Sequence, residues 1–115
     1  MHWAHGLTII LQIGIEVDMP AITRLGDNDT GHGCWPPRPS SQASINVYVN
    51  GIAIHRQTDA RAAHTCPSIP ETHSSTLATG SLTVFINGKN CGRIGDSVTC
   101  GGFVAKGSGN VFAGG

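Results

Sequence analysis

The sequence predicts an all-β fold with internal pseudo-threefold symmetry, and three observations carry that prediction. A short unit recurs as Arg24-Leu25-Gly26-Asp27, Arg56-Gln57-Thr58-Asp59 and Arg93-Ile94-Gly95-Asp96, and a metal-type side chain follows each within five residues: His32, His64 and Cys100. Upstream, Ser44-Ile45-Asn46-Val47-Tyr48-Val49-Asn50-Gly51 matches Ser81-Leu82-Thr83-Val84-Phe85-Ile86-Asn87-Gly88, and Ser108 to Gly115 is a terminal copy. From Met19 on, no window shows a sustained helical period, whereas β-branched and aromatic runs end in Asn-Gly. The Asn-Gly pairs and the pair Asp59 and Asp96 share a step of 37 residues, so strand and loop repeat together as one module. Three ligand-type side chains delivered from equivalent loops imply a metal on the pseudo-threefold axis.

Taken in order, residues 1–18 read as an extension outside the core domain of residues 19–115. Leu7 to Ile15 is apolar but too short to span a membrane, and it lacks the basic flank and cleavage site of an export signal. His2 and His5 are not expected to be ligands. Ile45 to Val49 and Leu82 to Ile86 are strands, and each Asn-Gly pair supplies the two left-handed residues of a tight antiparallel turn. Second arms are therefore expected at Ile52 to Arg56 and Lys89 to Ile94. Prolines mark Cys34 to Ser41 and Pro67 to His73 as irregular loops packed over the metal end, with Trp35 as a shield. The aspartates of the repeat are expected to cap backbone N–H groups, and the arginines to pair with carboxylates or carbonyls of neighbouring modules.

Composition narrows the function. Charged residues make up 12% of the 115-residue chain, and Lys plus Arg balances Asp plus Glu. Such a chain has no basic field for a phosphate backbone, which argues against a nucleic-acid partner. Sixteen glycines raise the entropic cost of ordering a small domain, so a cross-link is expected; four cysteines allow two disulfides, but with no export signal the six histidines make a metal the better staple. A structural zinc contributes on the order of 10 kcal/mol in small domains. Cys34 and Cys91 have no place in the repeat register and read as buried apolar residues; the metal reading leaves all four cysteines as free thiols.

Met19 to Gly115 resembles the PAAR-repeat family. The likeness rests on Pro20-Ala21-Ile22-Thr23-Arg24-Leu25-Gly26-Asp27, His32-Gly33, "VNG…HRxxD", "AHTCP", "FINGKxxGRIGD", "TCGG" and the closing "GSGNVFAGG". Ile22-Thr23, Gln57-Thr58 and Cys91-Gly92 depart from the usual signature. The resemblance implies a small conical β-structure on the blunt end of a homotrimeric β-helical spike, one tip per trimer, in contractile phage tails or type VI secretion systems. It also implies a metal near the vertex, carried onto His32, His64, His73 and Cys100. Three His and one Cys form a closed tetrahedral shell that suits zinc, with iron as the other candidate. Cys66 and His55 are alternatives to His73.

The function implied is mechanical: a non-enzymatic tip that sharpens the spike and helps pierce a target envelope, with no stable membrane anchor. A virion baseplate is favoured over secretion through a type VI apparatus, since no fused toxin domain is seen in the sequence. Two further readings differ in class. A small zinc-dependent envelope hydrolase would hold the metal with His32, His64 and one further residue, a water filling the fourth site and Glu71 or Asp59 acting as base, although no H-E-x-x-H signature is present. A disulfide-stapled binding module would instead pair its cysteines and hold no metal.

Overall fold

Both Asn-Gly pairs make the turns their chemistry favours: φ is 55° and 76° at Asn50 and Gly51, and 55° and 79° at Asn87 and Gly88. These left-handed pairs match the natural twist of antiparallel strands. In the computed structural model, which describes residues 19–115, they join β1 (Tyr48–Val49) to β2 (Ile52–Ala53) and β5 (Phe85–Ile86) to β6 (Lys89–Asn90). The regular ladders are far shorter than the β-rich runs suggest. Within each run the chain bends at Ser44 or Ser81, whose Oγ accepts the N–H groups two and three residues on. The N-terminal extension lies outside the described residues.

A third hairpin is assembled from the two ends of the described chain. Ile22 N–H donates to Val111 O at 3.0 Å, as Ile54 does to Val47 at 3.1 Å and Cys91 to Val84 at 2.9 Å. In return Ser108 donates to Ile22, Ser44 to Ile54 and Ser81 to Cys91, at 2.7–2.8 Å. Pro20 to Arg24 is thus the second arm of the terminal copy. The three arms then bond to one another in a ring: Thr23 N–H to Gly92 O, Gly92 N–H to His55 O, and His55 N–H to Thr23 O, at 3.0–3.2 Å. Only glycine fits at position 92, because a Cβ there would lie 2.7 Å from His55 O and 2.9 Å from Thr23 Cγ2.

The core follows the same symmetry. Ile22, Ile54 and Cys91 occupy equivalent positions, as do Val47, Val84 and Val111, and Val49, Ile86 and Ala113. Cys91 is therefore a small apolar core residue, fully buried, and burial pushes its thiol pKa up to about 12.

Each arm leads into an Arg-to-Asp turn. The Asp carboxylate accepts the Arg backbone N–H at 2.8–2.9 Å and the same arginine's Nε at 2.8–3.3 Å. The arginines pair chiefly with their own module's carboxylate, and reach beyond it to Asn50, Asn87 and the carbonyl of Gly114. Burial pushes the Asp59 pKa up, but the hydrogen bonds from Arg56 more than offset this and hold it below the ordinary carboxylate value. The third residue of each turn is left-handed: φ is 88° at Gly26, 75° at Thr58 and 90° at Gly95. A β-branched residue is strained there, so Thr58 is the weak copy of the turn.

Beyond the second turn lies the longest hairpin, β3 (Ala60–Cys66) with β4 (Glu71–Thr76). The sequence reading expected an irregular loop at Pro67 to His73. In the structure both prolines sit in the connecting turn, Pro67 to Pro70, outside the ladder whose hydrogen bonds they could not donate. Among the described residues there is no helix.

Candidate metal centre

The register of β3 with β4 sets the first pair of candidate ligands. His64 stands directly opposite His73, so both rings project from one face of the hairpin. A slip in the ladder between Arg61 and His64 turns the end of β3 relative to its start. His64 Nδ1 lies 2.8 Å from Pro36 O, which can only accept, so Nδ1 carries the proton and Nε2 presents a lone pair.

His32 arrives from a tight turn closed by two backbone bonds: His32 N–H to Trp35 O at 3.0 Å and Trp35 N–H to His32 O at 2.9 Å. Asp29 holds the start of this loop by accepting the N–H groups of Gly31 and Arg38. Cys100 comes from a turn fastened to the end of β4, where Thr99 N–H donates to Thr76 O and Thr76 N–H to Thr99 Oγ1, both at 3.0 Å.

These segments bring the ligand atoms of His32, His64, His73 and Cys100 within 4.8 Å of one another. The three Nε2 atoms are separated by 3.2, 3.0 and 2.7 Å, and Cys100 Sγ lies 3.7 Å from His64 Nε2. A tetrahedron with Zn–N near 2.05 Å and Zn–S near 2.3 Å has edges of roughly 3.3 Å and 3.6 Å. The donor set fits such an ion. Pro36 leaves the His64 Nε2 lone pair facing two further imidazole nitrogens and a thiol, the donor types that a tetrahedral cation uses. Burial, followed by the neighbouring His64 and His73, lowers the His32 pKa and favours its neutral, ligating form. Trp35 covers the cluster, its ring 5.1 Å from His32 and 4.8 Å from His73, while its Nε1 donates to Glu71 O.

The alternative ligands stand elsewhere. His55 is fully buried, its Nδ1 2.7 Å from Gln42 O and its Nε2 3.1 Å from Arg61 Nη1. Cys66 is joined to Cys34 in a disulfide, with Cα atoms 5.1 Å apart. This corrects the expectation of four free thiols and of a buried, unpaired Cys34: Cys34 is exposed and bonded, and only Cys91 and Cys100 are free. A signal was present in the sequence. Modules one and two are offset by 32 residues, as in Arg24 and Arg56 or His32 and His64, and Cys34 and Cys66 share that offset. The step of 37, taken from modules two and three, hid it. Asp59, considered as a base, is engaged by Arg56, and neither it nor Glu71 joins the cluster.

The PAAR motif family matches residues 30–106. Two curated relatives from Pseudomonas aeruginosa are each 38% identical over 88 residues: the NAD(P)(+) glycohydrolase toxin Tse6 of strain PAO1 and the (p)ppApp synthetase toxin Tas1 of strain UCBPP-PA14. The match covers 69% of this chain and 20% of either relative, so the chain spans about a fifth of their length. With the family match running across the candidate ligands and two of the three modules, the chain belongs to the PAAR-motif family.

Proposed function

We propose that this chain is a metal-stiffened tip for a homotrimeric β-helical spike, seated one per trimer. The closed ring of three equivalent hairpins carries the reading, because one chain with threefold pseudosymmetry can offer each chain of a trimer the same surface. The hairpins leave apolar side chains in solvent, with Ile45 87% and Leu82 75% exposed at equivalent positions beside the outward-facing Tyr48 and Phe85. Burying such residues against a spike would drive docking.

His32, His64, His73 and Cys100 then hold one zinc or iron ion, drawing three segments to a vertex that resists spreading as it meets an envelope. Four protein ligands close the shell to substrate water, which is why the hydrolase reading ranks below. Likeness to a segment of two toxins favours a type VI secretion setting over a phage virion, since a tip of this kind can travel outward with cargo.

Mixing the chain with a trimeric spike and measuring mass by light scattering tests the proposal. One chain per three spike chains is expected, with loss of binding in Ile45→Asp/Leu82→Asp. Three chains per trimer, or binding indifferent to these substitutions, would refute it.

A further inference from the structure

We propose that the Cys34–Cys66 disulfide is a redox lock on the metal centre, closed when oxidised and opened by a low-molecular-weight thiol attacking at Cys34. The inference rests on the metal reading above.

Two candidate ligands lie on segments that correspond residue by residue: Asp29, His32 and Cys34 in one, Arg61, His64 and Cys66 in the other, all at a separation of 32. The segments are fastened together on both sides of the ligands. Three residues before each histidine, Arg61 Nε donates to Asp29 Oδ2 at 3.0 Å, with side-chain exposures of 0% and 4%. Two residues after each histidine stands the disulfide. Solvent chemistry cannot easily undo the buried ion pair, whereas the disulfide presents one half-cystine outward: Cys34 is exposed while Cys66 is 0% exposed.

Because Cys34 is the half-cystine on an exposed residue, attack by an incoming thiolate is assigned to its Sγ. A new S–S bond forms between the reagent and Cys34, the Cys34–Cys66 bond breaks, and Cys66 leaves with the electron pair. Ser68 Oγ, 3.3 Å from Cys66 Sγ, can donate to the departing sulfur. A second equivalent of thiol then attacks the mixed disulfide, releases Cys34 and leaves as the oxidised reagent. Two electrons pass to the protein, and two thiols become one small disulfide.

Opening the bond acts unevenly on the ligands. His64 and His73 stay paired through the β3–β4 ladder, and Cys100 stays fastened to Thr76. His32 keeps the two bonds of its own turn, and its loop stays tied to the β3–β4 hairpin through Pro36 O and Trp35 Nε1 and, on either side, through Asp29 to Arg61, Arg38 Nε to Ala63 O and Ala62 N–H to Pro39 O, so what His32 loses is the covalent link two residues away. A thiol-rich compartment would leave the metal exchangeable, and a thiol-poor one would fix it. The third module has Gly102 where a partner cysteine would fall, so the lock joins two arms only.

The test is zinc transfer to a chromophoric chelator from three forms of the full chain: oxidised, reduced with a phosphine, and Cys34→Ser/Cys66→Ser. Intact mass and thiol alkylation verify the redox state. Reduced and double-serine chains should release zinc roughly tenfold to hundredfold faster than the oxidised chain, the range seen when groups supporting a metal ligand are removed. Limited glutathione should form its adduct on Cys34. Equal release rates from verified oxidised and reduced chains would overturn the lock while leaving the metal reading intact. Four alkylatable cysteines without reductant would overturn it too. Zinc absent from every form would refute the metal reading, and the lock with it.

Discussion

The hairpin end and the metal end of this molecule are built from one repeat but stabilised by different physics. At the hairpin end, three equivalent arms close a ring of backbone bonds over nine apolar positions, and the module is copied down to the serine at each bend. At the metal end the copies diverge. His32 and His64 keep register, Cys100 replaces a third histidine, and His73 enters from a return strand the other modules lack. A sheet core tolerates symmetry because any apolar side chain of similar size fills the space. A tetrahedral site needs four donors, so a threefold repeat must be broken to supply the last one.

Metal loss should separate the two ends most sharply. Cys100→Ser or strong chelation is expected to remove stabilisation on the order of 10 kcal/mol from the metal end. Hydrogen exchange should then quicken at β3 and β4 while the amides of Ile22, Ile54 and Cys91 stay protected. Uniform loss of protection would mean that the ends unfold as one unit.

The converse perturbation is Ile54→Ala, which opens a cavity beside Ile22 and Cys91 and should cost about 2–5 kcal/mol in denaturant unfolding. Zinc content of the folded protein should not change.

Acidification probes the junction between the ends, where His55 belongs to the ring and also receives a hydrogen bond from Arg61. Burial lowers its pKa to about 4 against an ordinary 6.5, with the Arg61 guanidinium adding to the shift against the opposing pull of Gln42 O. Above pH 6.5 the residue is neutral in folded and unfolded chains. Between that pH and about 4 the unfolded chain takes up a proton that the folded chain refuses, so stability falls as pH falls, by roughly 3 kcal/mol in all. In His55→Gln the slope of stability against pH should drop by one proton across this window; an unchanged slope would leave the acid response to the metal end.

The smallest effect should come from the turn that joins ring to hairpin. Thr58→Gly relieves a left-handed threonine where the other modules have Gly26 and Gly95, and should stabilise the protein by about 1 kcal/mol in thermal unfolding.

Much of this architecture was legible in the chain. Asn-Gly pairs dictate tight hairpins because both residues accept left-handed φ, and the Arg-to-Asp spacing dictates a capped turn because an aspartate three residues on can reach the arginine's N–H. The register of His32, His64 and Cys100 placed three candidate ligands in equivalent segments, and resemblance supplied His73. Pairings between distant segments were not legible. The strand that completes the third hairpin precedes its partner by almost the whole chain, and a local pattern carries no record of closure. His73 read as loop because Pro67 and Pro70 closely precede it, whereas hairpin pairing with His64 puts those prolines in the turn. The disulfide depends on two loops meeting in space, and its trace in the sequence was an offset of 32 masked by one of 37. Sequence by itself determined the local turns and the chemical types of the ligands, since these depend on residues a few positions apart. Tertiary structure alone decided which arms close the ring, which cysteines bond and how the donors are brought together, because each choice is made by packing across the fold.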